Sequence, residues 1–110
     1  MALNKKNRLK KKRDFENVFK KGKAVKGSFL FIKYRNNELG VPRFGFVVSA
    51  KIAKKAVERN RIRRILSESI RDKVKNLGGY DIIVFATSKM TTGHEEGLVD
   101  DFLGVLNKIQ

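Results

Sequence analysis

Four arginines within six residues are the feature of this sequence best suited to chemistry with a polyanion. They stand in the run Arg59-Asn60-Arg61-Ile62-Arg63-Arg64. Each guanidinium offers a rigid fork of N–H donors that matches the oxygens of a phosphate. A merely solvated helix would alternate its charges, whereas the polar face here carries Glu68 as its one neutralising residue. The run therefore predicts a nucleic-acid contact, with Arg71 farther along the same face.

Aromatic residues with basic neighbours form a second candidate site. Three pairs of phenylalanines are expected to share a helix or strand face, namely Phe15 with Phe19, Phe29 with Phe31, and Phe44 with Phe46. Taken singly, each ring is best explained as part of the core. The basic residues around them are Lys12, Arg13, Lys20, Lys33 and Lys51. Rings flanked by cations predict a site for single-stranded nucleic acid, because bases stack on the rings while phosphates pair with the cations.

Residues for catalysis by the protein itself are hard to find. The chain has no Cys and one His, His94, which lacks the second His of a zinc-binding helix. We expect His94 to lie in a surface loop before the last helix, and Asp81, at the start of a strand, to be structural. We therefore predict no catalytic residue and no metal bound by the protein. An autonomous nuclease is disfavoured, because no acid cluster or His pair could hold its metal ions.

The charge balance points to a polyanionic partner. The 110 residues include 26 Lys and Arg against 11 Asp and Glu, for a formal net charge of +15, which suits nucleic acid or an anionic membrane. Residues 1–75 carry 24 basic and 6 acidic side chains, whereas residues 76–110 carry 2 and 5. The N-terminus lacks a signal peptide's apolar run, and no window has the roughly 18 apolar residues of a membrane span. We expect a soluble, cytoplasmic protein.

Hydrophobic periodicity predicts the elements that hold these residues. Helices are expected over residues 14–21, 54–75 and 95–109, and strands over 28–35, 44–51 and 80–87, with a weaker extended piece at 23–26. Residues 1–8 are expected to form a flexible basic arm of a single domain spanning 1–110. The order predicts an α/β (α+β) two-layer sandwich, with helices packed on a small mixed sheet.

The helix expected over residues 54–75 carries the arginine run on one of its two faces. Its apolar arc consists of Ile62, Ile65, Leu66, Ser69 and Ile70, and Leu77 just beyond the helix continues it. The opposite, polar arc includes Asn60, Arg61, Arg64, Ser67, Glu68 and Arg71. Arg59 and Arg63 are expected nearer the apolar boundary, where a guanidinium can reach over the edge of the sheet.

The run from Ala56 to Arg64 resembles the Arg-Asn-Arg signature of the bacterial ribonuclease P protein family. The pattern Asp14-Phe15-x-x-Val18-Phe19-x-x-Gly22 resembles that family's first helix. Residues 44–51 and 80–84 resemble the strands before and after its signature helix. The resemblance covers roughly residues 5–108. One departure is Ser67, which stands where some members have a further basic residue.

The resemblance implies a fold similar to the second domain of ribosomal protein S5, with the order αβββαβα and a left-handed βαβ crossover. It also implies a catalytic RNA as partner, which removes the 5′ leader of precursor tRNA. That RNA would provide the active site and bind the Mg²⁺ in it. By match with the family, the contacts with the catalytic RNA would be Arg59, Asn60, Arg61, Arg63 and Arg64, and Arg71 on the same helix face is expected to join them. The implied leader cleft, between the first helix and the sheet, is lined by Phe15, Phe19, Phe31 and Lys51. The neighbouring cations Lys12, Arg13 and Lys33 are expected to belong to the same cleft.

A ribosomal or general RNA-chaperone protein without an enzyme partner is the competing interpretation. Composition alone does not separate it from the first, since both need a basic surface. The distinguishing features are Arg59-Asn60-Arg61 after the strand at residues 44–51, and the pair Phe15 and Phe19.

Overall fold

The elements follow one another in the order αβββαβα within residues 3–87 and 95–109, which the computed structural model describes. They are α1 (Lys12–Lys21), β1 (Lys23–Lys26), β2 (Leu30–Asn36), β3 (Arg43–Val47), α2 (Ala56–Ile70), β4 (Tyr80–Ala86) and α3 (Glu95–Leu106). Short 3-10 turns lie at Lys5–Asn7 and Val74–Asn76. The predicted loop at residues 88–93 and His94 lie outside the described residues.

The four strands form one mixed sheet in the order β1-β2-β4-β3. β1 and β4 each pair with β2 in antiparallel fashion, whereas β3 and β4 are parallel. A parallel pair needs a crossover connection, and α2 supplies it. The mixed α+β class and the element order predicted from the sequence are confirmed, including the extended piece at Lys23–Lys26.

The main core lies between the sheet and the helices α2 and α3. Alternate strand residues project into it, namely Leu30, Ile32, Tyr34, Phe44, Phe46, Ile82 and Val84. The helices contribute Ile62, Leu66, Ile70, Leu98, Phe102, Val105 and Leu106. α1 covers the opposite face of the sheet, where Val18 packs with Leu9 and Ile83. Of the helices within the described residues, none has the length and apolar character needed to cross a membrane.

Residues 3–8 pack against the domain, which corrects the prediction of a flexible arm at residues 1–8. Leu3 and Asn7 are 2% and 3% exposed. The Asn7 side-chain amide donates to the carbonyl of Pro42 at 2.8 Å, and the Leu9 amide donates to the carbonyl of Phe44 at 2.8 Å. The basic side chains suggested a solvated arm, but Leu3, Asn7 and Leu9 tie this segment to the beginning of β3.

Several predicted elements end earlier than the periodicity suggested, and the differences are largest for β3 and α2. β3 stops at Val47 instead of continuing to Lys51, because the chain turns and the Ser49 carbonyl accepts the amides of Ile52 and Ala53 at 3.0 and 3.2 Å. α2 stops at Ile70, and the predicted continuation to residue 75 is a turn that leads into the second 3-10 segment. Apolar residues beyond both ends still pack on the core, which explains the longer predictions.

Asp101 of α3 anchors the turn between β1 and β2. Its carboxylate accepts the backbone amides of Ser28 at 2.8 Å, Phe29 at 2.8 Å and Leu30 at 3.2 Å. A Cβ at Gly27 would lie 2.5 Å from each carboxylate oxygen, so only glycine allows this approach. This anchor directs Phe29 into the main core, so the prediction that Phe29 and Phe31 share a face is wrong.

Replacing Asp101 by Asn should lower the free energy of unfolding by about 2 kcal/mol, because the negative charge is lost and only one oxygen remains to accept the three backbone amides. Urea denaturation followed by circular dichroism measures the loss. The matched control is Asp100→Asn, a change at an exposed neighbour on the same helix, with an expected effect within about 0.5 kcal/mol. Equal losses for the two variants would contradict a specific role for Asp101.

Candidate RNA interface

The sheet face beneath α1 consists of three cross-strand rows of different chemistry. Register places Arg35, Asp81 and Arg43 in the first row and Lys33, Ile83 and Gly45 in the second. The third row consists of Phe31, Phe85 and Val47. Toward the carboxyl ends of β3 and β4, the face therefore changes from a charged row to a mixed row with one lysine, and then to a row with two aromatic rings.

Phe15 closes the middle of this face. A Cβ at Gly45 would lie 2.6 Å from the Cζ atom of Phe15, so the ring rests directly on the glycine. The half-buried Phe15 packs on the cluster of Leu9, Val18 and Ile83. Phe15, which the resemblance assigns to the leader cleft, thus forms the floor between α1 and the sheet and is held largely by apolar contacts.

An open aromatic surface lies at the third row, and we call Phe19, Phe31 and Phe85 the aromatic cleft. The rings of Phe31 and Phe85 stack with centroids 4.6 Å apart and planes inclined by 9°. Phe19 tilts against Phe85 at 5.5 Å and 56°. Phe19 is 45% exposed, and Val47, which pairs with Phe85 at the end of the third row, is 37% exposed. Phe31 and Phe85 are half-buried, so the exposed Phe19 ring offers the most open face on which a base can stack.

Phe85 is the member of the aromatic cleft that sequence reasoning missed. The apolar run of β4 predicts a central strand that is covered on both sides, and Ile82, Ile83 and Val84 are indeed buried. The signal that could have found Phe85 is its alternation with Ile83 and Asp81 on one strand face. Its position beside Phe31 depends on the register between β2 and β4, which the sequence does not state.

The predicted cleft cations differ in their placement relative to the rings, and Lys33 is the one in contact with them. The Lys33 Nζ atom lies 5.3 Å from the centre of the Phe19 ring, within the range of a cation–π interaction. Lys12 precedes Phe19 by seven residues, or about two turns, and so shares its side of α1. Lys51 is exposed in the turn after β3. Arg13 is exposed but lies roughly 120° around α1 from Phe19, so it points away from the rings.

The arginine run occupies the first half of α2, which begins at Ala56. Arg59 Nη1 donates to the carbonyls of Ala53 at 3.0 Å and Lys54 at 2.8 Å, so this side chain stabilises the loop before the helix. Arg63 Nη1 donates to Asn60 Oδ1 at 2.7 Å. Both arginines are half-buried, as the predicted boundary positions require. Arg61 and Arg64 are exposed on the outer side of α2.

The buried stripe of α2 is rotated relative to the prediction. Ser67, expected on the polar arc, is fully buried, and its hydroxyl donates to the Arg64 carbonyl at 2.9 Å. Ile65 and Ser69, expected in the apolar arc, are only half-buried. Ser67 could enter the core because its hydroxyl is satisfied by the helix backbone. A long basic side chain would not fit at this buried position, whereas the small Ser67 does. The departure from the family pattern at residue 67 is therefore consistent with the packing of α2.

Arg71 follows α2 and is weakly compensated. Its Nε atom lies 3.7 Å from a carboxylate oxygen of Asp72, and both side chains are largely exposed, so the ion pair contributes little. Asp81 is structural, as predicted, because Arg43 and Asn37 hold its carboxylate at 2.7 to 3.0 Å. Within residues 3–87 and 95–109, no group of three or more His, Cys, Asp or Glu side chains could hold a metal ion.

The aromatic cleft and the arginine run lie at the same end of the sheet. Phe85 and Val47 stand near the carboxyl ends of the parallel strands β4 and β3. The loop of residues 48–55 leads from that end of β3 directly into α2. Arg59 fixes this loop, which also carries Lys51. A nucleic-acid strand bound in the aromatic cleft would therefore exit at the end of the sheet where the arginine run of α2 begins.

Comparison with known proteins gives one consistent result. The sequence profile of the family described as Ribonuclease P matches residues 3–110. The Ribonuclease P protein component of Syntrophomonas wolfei is 39% identical over 109 residues, covering 96% of this chain and 89% of that protein. The corresponding protein of Fusobacterium nucleatum is 36% identical over 104 residues, covering 94% and 93%.

Solved structures agree with the sequence relatives. The RNase P protein of Staphylococcus aureus superposes with a TM-score of 0.82 at 31% identity, covering 93% of this chain and 94% of that one. The RNase P protein of Thermotoga maritima superposes with a TM-score of 0.77 at 28% identity, covering 94% and 97%. Since sequence and structure both match over almost the full chain, this protein belongs to the bacterial ribonuclease P protein family.

Proposed function

We propose that this ribonuclease P protein subunit binds the 5′ leader of precursor tRNA in the aromatic cleft and assists the catalytic RNA in removing that leader. The observation that carries the proposal is the aromatic cleft itself, in which the exposed Phe19 lies beside the half-buried Phe31 and Phe85, with Lys33 over the Phe19 ring. This cleft lies on a sheet face separate from the arginines of α2. Two separate surfaces allow one protein to hold a substrate and an RNA partner together. Membership of the family makes the chain part of an endoribonuclease complex that includes an RNA subunit.

The division of labour in this proposal places the chemistry on the RNA. The catalytic RNA supplies the active site and binds the Mg²⁺ that the reaction requires, and the protein contributes no catalytic residue. Family membership favours this proposal over a ribosomal or general chaperone role. We propose that the protein acts in the cytoplasm, together with the RNA. Co-purification with one RNA of several hundred nucleotides would support the proposal, whereas sedimentation with ribosomes would support the chaperone role.

The physical contribution of the protein is to localise a flexible polyanion that a catalytic RNA alone repels. Each base stacked on an aromatic ring contributes about 1–3 kcal/mol. Cations beside the rings neutralise leader phosphates and release counterions. Positive charge between two RNAs also replaces part of the screening that Mg²⁺ would otherwise supply. The holoenzyme should therefore work at a lower Mg²⁺ concentration than the RNA alone.

The direct test is cleavage of precursor tRNA by the matching catalytic RNA at low Mg²⁺, with and without this protein. We expect the protein to raise both the affinity for precursor tRNA and the cleavage rate. If neither changes at any Mg²⁺ concentration that keeps the RNA folded, the proposed function is wrong. Mature tRNA is the control ligand, because it lacks the leader and should gain little affinity from the protein.

The affinity of the isolated protein for a single-stranded leader oligonucleotide should fall steeply with salt. Each neutralised phosphate of a single strand contributes a slope of about −0.7 in log K against log [salt]. Contacts from Lys12, Lys33 and Lys51 would give a slope of about −2, which fluorescence anisotropy between 50 and 300 mM KCl can measure. A slope near zero would contradict an electrostatic contribution from these lysines.

A further inference from the structure

A charged cluster connects α1 to the sheet at the end opposite to the aromatic cleft. Arg43 Nε and Nη2 donate to the two carboxylate oxygens of Asp81 at 2.8 and 2.7 Å. The remaining arm, Nη1, donates to Asp14 of α1 at 3.3 Å. The Asn37 amide also donates to Asp81 at 3.0 Å and to the Val41 carbonyl at 3.0 Å. The two bonds to Asp81 fix the plane of the guanidinium group. The third nitrogen, Nη1, then points in one direction only, toward Asp14 on α1.

The cluster is shielded enough to act at physiological salt. The side chains of Arg43, Asp14 and Asp81 are 22%, 14% and 11% exposed. Hydrogen bonding to Asp81 is the main reason why the pKa of Arg43 lies above its ordinary value. Burial lowers this pKa, and coulombic attraction to Asp81 and Asp14 raises it further. Partly buried pairs are screened less by salt than exposed pairs.

The position of the cluster relates it to the cleft. Asp14 directly precedes Phe15, whose ring rests on Gly45, and Phe19 follows five residues later, about 7.5 Å along the helix. Along β3, Arg43 and Gly45 stand in successive rows beneath the same helix. α1 is therefore tied by an ion pair at one end and presents its exposed ring at the other.

We propose that Arg43 is a positioning residue of the leader cleft, which fixes the tilt of α1 through Asp14 and so holds Phe19 beside Phe85. The apolar contacts of Phe15 and Val18 keep α1 on the sheet, but such contacts are not directional. A guanidinium fork is directional, because its donors lie in one plane. A helix that loses this tie stays packed but can rock about Val18, and the base-stacking surface loses its fixed geometry.

This inference rests on the proposed function, and Asp14→Asn is its cleanest test. The variant keeps the size of the side chain, and Asp81 keeps its partners Arg43 and Asn37. In the holoenzyme, we expect the ratio of affinities for precursor and mature tRNA to fall about threefold or more, because a small misplacement of a binding group is costly. Arg43→Lys, which keeps the charge but loses the fork, should give the same fall. The double variant should be no worse than either single one, because both changes break the same tie.

The matched control is Asp100→Asn on α3, on the other face of the sheet. It changes the net charge by the same amount as Asp14→Asn, and added positive charge by itself should favour RNA binding. All measurements are made at a temperature where thermal melting shows each variant folded, so that a loss of stability alone leaves the affinity ratio unchanged. Hydrogen exchange of α1 amides should rise in Asp14→Asn and Arg43→Lys but not in the control.

Including Phe19→Ala in the same series separates the two proposals. If Phe19→Ala lowers the affinity ratio while Asp14→Asn and Arg43→Lys leave it unchanged, Arg43 has only a structural role and the inference is overturned. If Phe19→Ala also leaves the ratio unchanged, the leader does not use the aromatic cleft and the proposed function is overturned. A fall in all three variants, with Asp100→Asn unchanged, supports both.

Discussion

Replacing Phe19 by alanine should weaken the binding of precursor tRNA to the holoenzyme about tenfold, while the affinity for mature tRNA stays within about twofold, because one stacked base is lost. Phe19 is the sharpest probe of the aromatic cleft. Its ring is 45% exposed, so its removal costs little core packing, and it contacts both Phe85 and Lys33. Equilibrium binding of labelled tRNAs to the reconstituted holoenzyme measures both affinities.

The matched control for Phe19→Ala is Leu39→Ala, which removes another exposed apolar side chain. Leu39 is 57% exposed in the connection between β2 and β3, at the other end of the sheet from the aromatic row. It should change neither affinity. An equal loss for precursor and mature tRNA in Phe19→Ala would indicate that the ring supports the holoenzyme generally and does not bind the leader.

Phe15 and Phe19 have different surroundings in the fold, although the sequence alone does not distinguish them. Both rings share a helix face and a family pattern, so the sequence treats them alike. In the fold, Phe15 rests on Gly45 and packs with Val18, whereas Phe19 is open to solvent. Phe15→Ala would therefore lower stability as well as alter the cleft, and its effect on tRNA binding would be harder to interpret.

Local periodicity was enough to predict the elements of this fold. Alternation along β2 puts Leu30, Ile32 and Tyr34 on one face and Phe31 on the other, and the fold shows that the first of these faces is the one buried in the core. Alternation failed at Phe29, which precedes the strand and follows the backbone that Asp101 anchors. The N-terminal segment was mispredicted for a related reason, since contacts of Leu3 and Asn7 with distant residues decide its placement.

The candidate site depends on strand register and helix rotation, which the sequence does not state. Phe85 joins Phe31 only because β4 lies between β2 and β3 in a particular register. Ser67 is buried because α2 is rotated so that its hydroxyl side meets the core. The exposure of Arg61 and Arg64 and the boundary positions of Arg59 and Arg63 followed from the helical wheel and are found as predicted.

The largest effect on holoenzyme assembly is expected from the double change of Arg61 and Arg64 to Gln. Both guanidinium groups are exposed on α2, away from the core. If each contacts one phosphate of the catalytic RNA, the affinity for that RNA should fall about 10- to 100-fold, and the salt slope should become shallower by about 2. Binding of the isolated protein to a short leader oligonucleotide should change little, because the aromatic cleft is intact.

The control for the double arginine variant is the double change of Lys73 and Lys108 to Gln, which removes the same charge. Both lysines are exposed, one beyond the end of α2 and the other beyond the end of α3. A purely nonspecific electrostatic attraction would make the two double variants equally weak, because only net charge would matter. A specific surface at the start of α2 predicts that the arginine variant loses far more affinity for the catalytic RNA. It also predicts that excess protein restores cleavage, because the cleft and the active site of the RNA remain unchanged.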